Sequence, residues 1–129
     1  FDLKEKPIQV FEVYFQLQLI SFQTAIINWL DLILLGIGDD GHTASLFPET
    51  KGLNESKKGV IKNSVPQLNT ERITLTYPVI LNASKIIILA KGAAKDEILK
   101  EIKIGKGDHY PIARIINSKV DTTCILGIN

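Results

Sequence analysis

Two short apolar runs constrain this chain more than anything else in it. "LILL" at 32–35 and "KIIILA" at 85–90 are almost uninterrupted aliphatic stretches, each followed within two residues by a glycine. A strand with one wet face alternates apolar and polar residues. A run without alternation is expected where a parallel sheet is covered on both faces. The lengths suit strands, and the second run is rich in β-branched isoleucine. With helical patterns between such strands, the expected class is α/β: a mostly parallel, Rossmann-like, doubly wound sheet flanked by helices. Right-handed crossovers then bring the loops after 31–35 and 85–90 to the same carboxyl edge, where such sheets bind ligands.

The remaining elements follow from local pattern. "PIQVFEVYFQLQL" at 7–19 spaces Ile8, Phe11, Phe15 and Leu19 by three and four residues, which predicts an amphipathic helix after Pro7. "ASLF" reads as a short helix with Thr43 as its N-cap. The polar stretch 49–58 reads as a loop, "GVIKNSV" as a short strand, and "RITLTYP" as a half-buried strand closed by Pro78. A short helix is expected over 79–84, and a surface helix over "AAKDEILKEIKI". "IARIINSKV" and "TTCILGI" read as two late strands.

Composition removes several function classes. The 129 residues carry 15 basic and 14 acidic side chains, a net charge of +1, which predicts neither a nucleic-acid nor an anionic-membrane partner. Hydrophobic residues make up 45% of the chain, enough for a core, yet no apolar run approaches the roughly 18–20 residues of a membrane span. The lone Cys124 permits no intrachain disulfide and reads as a small core residue. A cytoplasmic location is expected. The chain starts at Phe1 and contains no methionine, which reads as a piece of a larger protein.

The loop "GIGDDGHTAS" after the first run concentrates the chemistry. Gly36, Gly38 and Gly41 permit unusual backbone angles and leave N–H groups uncovered for an anionic or carbonyl oxygen. His42 is of the residue type that titrates near neutral pH and serves as a general base. Asp39 or Asp40 is placed to accept a hydrogen bond from its imidazole. The bland alternative is two solvated turn acids and a histidine that merely caps a helix. The loop is not a dinucleotide fingerprint, since no long helix follows, and not a P-loop, since no Gly-Lys-Ser/Thr follows. No second histidine lies near enough in sequence to suggest a metal; His109 falls in a distant turn.

"DLILLGIGDDGHTASLFP" closely resembles the central motif of the 6-phosphogluconolactonases, within the wider glucosamine-6-phosphate isomerase/deaminase superfamily. "ERITLTYPVILNASKIIILAKGAAKDEIL" resembles a second block of the same family, and "YPIARI" is a weaker third match. The two long blocks cover 31–48 and 71–99, in the family's order. On this resemblance, residues 1–129 correspond to the C-terminal portion of the family's α/β domain.

The resemblance implies hydrolysis of 6-phospho-D-glucono-1,5-lactone to 6-phosphogluconate, with no cofactor and no metal. His42 matches the base that activates water, and Asp40 a position that orients His42 or the sugar hydroxyls. Lys95 in "KGAAK" matches a phosphate-binding lysine. Arg72 matches a motif arginine that either contacts phosphate or pairs with an acid. Gly38 and Gly41 are expected at the substrate through their backbone. Asp39 stands where the lactonases usually have glutamate, and its role is open.

Two alternatives stand beside this. Amino-sugar-phosphate isomerase/deaminases carry Asn-Glu-Pro after the histidine, where this chain has "LFP", so Leu46 and Phe47 replace the first two residues and the acid is absent. A non-catalytic sugar-phosphate-binding module is the second, although a sensor has no need of a base at His42. The expected partner is a small sugar-phosphate lactone. Association with an N-terminal half or a fused pathway enzyme is left open.

Overall fold

The computed structural model describes residues 30–127. In chain order these form β1 (Leu32–Gly36), β2 (Val60–Val65), β3 (Thr70–Leu75), α1 (Tyr77–Ile80), β4 (Lys85–Lys91), α2 (Ala93–Lys103), α3 (Pro111–Ile116) and β5 (Asp121–Gly127). Single 3-10 turns occur at Lys51–Asn54 and Pro66–Leu68. The expected helix over 7–19 lies outside the described residues.

The α/β reading holds. β1, β4 and β5 make a parallel sheet in the order β1-β4-β5, with Leu34 opposite Ile87 and Ile88 opposite Cys124. β2 and β3 form a separate antiparallel hairpin. The core lies on one face of the parallel sheet. Ile33 and Leu35 of β1 and Ile86 and Ile88 of β4 pack with Ile98 and Ile102 of α2 and with Ile112 and Ile115 of α3. Each such side chain removed from water contributes on the order of 1.5–3 kcal/mol.

Several expectations are corrected. Among the described residues, helices cover one face of the sheet, burying their apolar residues against the Ile33 side. Leu32 and Leu34 are 51% and 61% exposed on the other, beside exposed Leu89 and Ile125. "IARII" is the helix α3, not a strand: Pro111 at its first position supplies a preset φ, and Ile112, Ala113 and Ile115 are buried while Arg114 faces out. Four apolar residues around one arginine fit either period, and the flanking proline decides.

"ASLF" forms no helix. Ala44 and Glu49 adopt left-handed φ values of 50° and 61°, and Thr43 and Leu46 form an isolated bridge. The Thr43 hydroxyl donates to the Gly36 carbonyl at 2.9 Å and caps nothing. The helix placed at 79–84 starts earlier, at Tyr77, so Pro78 lies in a helical first turn and does not close the strand. Cys124 is exposed on β5 rather than in the core, and burial of part of its environment raises its thiol pKa.

Candidate active site

The loop leaving β1 closes on itself. Gly38 N–H donates to the His42 carbonyl at 2.9 Å, and Gly41 N–H to the Gly38 carbonyl at 3.0 Å. Both glycine N–H groups are therefore engaged within the loop, and in this arrangement neither points a donor at a ligand. Glycine is required at 38 for a different reason: a Cβ there would overlap the His42 imidazole. At Gly41 the backbone has φ of +75°, and a Cβ would overlap the ring of Tyr110.

This loop presents Asp40 to His42. The imidazole Nδ1 lies 2.6 Å from Asp40 Oδ1, and the same oxygen accepts the His42 backbone N–H at 3.1 Å. Partial burial works to raise the Asp40 pKa. The backbone and imidazole hydrogen bonds from His42 outweigh it, so the carboxyl is held below its ordinary value. An ionised carboxylate only accepts, so Nδ1 carries the hydrogen, and in the neutral ring Nε2 is the nitrogen with the free lone pair. Phe47 stacks on the imidazole with centroids 4.0 Å apart and planes 23° apart. The ring is thus fixed both in its plane and across it. Beside it opens a cavity of about 280 Å³, lined by Leu34, Gly36, Gly38, His42 and Ala44 among others.

β4 and α2 bring the second group. Lys95, in the first turn of α2, reaches across to the carboxylate of Asp39, so the loops after β1 and β4 meet at the carboxyl edge as their chain order implies. Arg72 is exposed on β3, opposite Asn63 of β2, and pairs with no acid among the described residues. Of its two expected roles, the brace to an acid is absent here. No group of three or more His, Cys, Asp or Glu is arranged to hold a metal among the described residues. None of the described helices is long and apolar enough to cross a membrane.

The family model for glucosamine-6-phosphate isomerases/6-phosphogluconolactonase matches residues 10–124. The chain belongs to this family. It is 42% identical over 86 residues to the 6-phosphogluconolactonase of Chlamydia trachomatis, covering 66% of this chain and 34% of that protein. It is 36% identical over 108 residues to that of Helicobacter pylori, covering 82% of this chain and 48% of that protein. The solved 6-phosphogluconolactonase of Trypanosoma brucei superposes with a TM-score of 0.67 at 28% identity, over 92% of this chain and 50% of that one. The chain thus spans between a third and a half of these relatives.

Three supports of this family's histidine loop escaped the reading of the residues. Phe47 enters that reading only as the residue in place of the isomerase/deaminase glutamate, not as a ring stacked on His42. Asn63 is a buried amide whose Nδ2 donates to the Ser45 carbonyl at 2.9 Å and to Thr50 Oγ1 at 3.0 Å, while its Oδ1 accepts Gly52 N–H at 3.1 Å. It clips the hairpin onto the segment after His42, helped by Thr74 Oγ1, which accepts Ser45 N–H at 3.0 Å. The only signal was a polar residue at an inward position of "VIKNSV". Tyr110 is the third, packed on Gly41 and donating its hydroxyl to Glu101 at 3.0 Å.

Proposed function

We propose that this chain carries the acid–base and phosphate-binding side of a 6-phosphogluconolactonase site. The observation that bears most weight is the pairing of His42 Nδ1 with Asp40, which leaves Nε2 basic and beside an open cavity. In this reading Nε2 removes a proton from water as the water oxygen bonds to C1 of 6-phospho-D-glucono-1,5-lactone. The carbonyl electrons move onto oxygen to form a tetrahedral intermediate. When they return, the C1–O5 bond breaks and the imidazolium delivers its proton to the departing ring oxygen. The product is 6-phosphogluconate, an intermediate of the oxidative pentose phosphate pathway. Asp40 stabilises the imidazolium and keeps the ring in one tautomer. Lys95 binds the 6-phosphate, Arg72 offers a second cation to it, and Gly38 and Gly41 shape the loop that meets the sugar. No cofactor is needed for this ester hydrolysis.

The sister chemistry of amino-sugar isomerisation and deamination is less well supported. At the place where the resemblance puts that branch's glutamate, Phe47 stacks on the imidazole and offers no proton-transferring group.

The substrate assignment is tested by comparing hydrolysis of the lactone with and without its 6-phosphate. The expected outcome is a strong preference for the phosphorylated lactone, with Lys95→Gln raising KM by about tenfold or more and changing kcat little. Equal rates on both lactones would remove Lys95 from the site.

A further inference from the structure

Asp39 and Asp40 are adjacent, yet they face different halves of the site. Asp40 is held by two hydrogen bonds from His42. Among the described residues the Asp39 carboxylate is bonded only to the ammonium of Lys95, and that ammonium has no other hydrogen-bond or ion-pair partner. Burial of the two partners is unequal. The Lys95 side chain is 21% exposed and that of Asp39 is 77% exposed, so the lysine is packed in place while the carboxylate projects into solvent. Among the described residues no side chain caps the start of α2 at Gly92 and a Cβ there would meet nothing, so none of them fills the space at the lysine's end of the helix.

We propose that Asp39 is a built-in competitor for Lys95. In the unliganded site its carboxylate takes the position of the substrate phosphate, and binding of a phosphate monoester displaces it. The proposal rests on the reading of Lys95 as the phosphate-binding group and adds what that group does before substrate arrives. An exposed carboxylate holds an ammonium only weakly. A phosphate dianion at the same distance attracts it about twice as strongly. Asp39 cannot stay beside the phosphate without like-charge repulsion. Its release leaves the Asp40–His42 pair untouched, because the two acids have separate partners. The consequence is selectivity: a ligand must carry a dianionic phosphate to claim the lysine, and a monoanionic carboxylate gains little by exchanging with another carboxylate.

The experiment is a titration with inorganic phosphate, and in parallel with 6-phosphogluconate, at pH 7.5. Binding is followed by heteronuclear NMR at the Lys95 and Asp39 amides in the wild type, Asp39→Asn, Asp39→Ala and Lys95→Gln. The expected result is tighter binding of both ligands by the two Asp39 variants, by roughly two- to fivefold, and loss of binding in Lys95→Gln. Binding that Lys95→Gln abolishes but the Asp39 variants leave unchanged or weaken would overturn the competition and spare the lysine's role. Binding that Lys95→Gln does not affect would overturn both.

Discussion

The ring of Tyr110 fills the space into which a side chain on Gly41 would project. Around that contact the loop is bolted down twice more, by Ile112 N–H donating to the Gly41 carbonyl at 3.1 Å and by the Tyr110 hydroxyl bonded to Glu101 on α2. The histidine loop is thereby tied to the helix that carries Lys95. Gly41→Ala must adopt left-handed φ and displace the ring, a combined cost of about 2–4 kcal/mol. Denaturant midpoints measure it. Shrinking the ring should return part of the loss, so Gly41→Ala combined with Tyr110→Ala is predicted to be less destabilised than the sum of the two single variants. Simple additivity would mean that the contact carries no energy.

Asn63 is 2% exposed and satisfies three loop groups at once. Asn63→Leu removes those bonds and strands the Gly52 N–H and the Ser45 carbonyl. We predict a stability loss of about 2–4 kcal/mol, read from equilibrium unfolding. A loss below about 0.5 kcal/mol would show that water replaces the amide.

Asp40→Asn retains the shape of the side chain and removes its charge. It is predicted to lower kcat by at least about a hundredfold with little change in KM. The pH dependence has a definite sign. Because the native pKa of Asp40 is depressed, its contribution to stability is present above the ordinary carboxyl value and is lost as pH falls through the native one. Unfolding measured between pH 6 and 3 should show a shallower acid loss in the variant than in the wild type.

Tyr77 provides the alkaline counterpart. Burial, only partly opposed by the Arg114 guanidinium 4.4 Å above its ring, pushes its pKa up to about 12. Its stabilisation is complete below the unfolded value of about 10 and is lost as pH rises through 12. Tyr77→Phe abolishes the 2.7 Å bond to the Pro111 carbonyl, which costs about 1 kcal/mol at neutral pH. It should also flatten the stability loss between about pH 10 and 12. Parallel curves for the two proteins would contradict the assignment.

What could be read from residues alone was whatever short-range pattern determines. The runs of β1 and β4 announced a parallel sheet, and "GDDGH" announced a turn that sets an acid against a histidine. The helix α2 followed from Ile98 and Ile102 at helical spacing. The misreadings share a cause. "IARII" is too short for its period to discriminate, and Pro111 outweighs its β-branched residues. "ASLF" lost its helix to a tertiary bond, Thr43 to Gly36, that no local pattern contains. Asn63 and Tyr110 act on residues nine or more positions away, so their roles appear only once the hairpin and α3 are docked. Which face of β1 the described helices cover depends on how they dock, which the run itself does not encode.

We propose that His42 activates water against a phosphorylated lactone. The direct test is acid release from 6-phospho-D-glucono-1,5-lactone by the protein and by its His42→Ala variant, each corrected for spontaneous ring opening. The expected result is turnover that falls to the uncatalysed rate in the variant while binding of 6-phosphogluconate persists. Turnover that survives His42→Ala would contradict it.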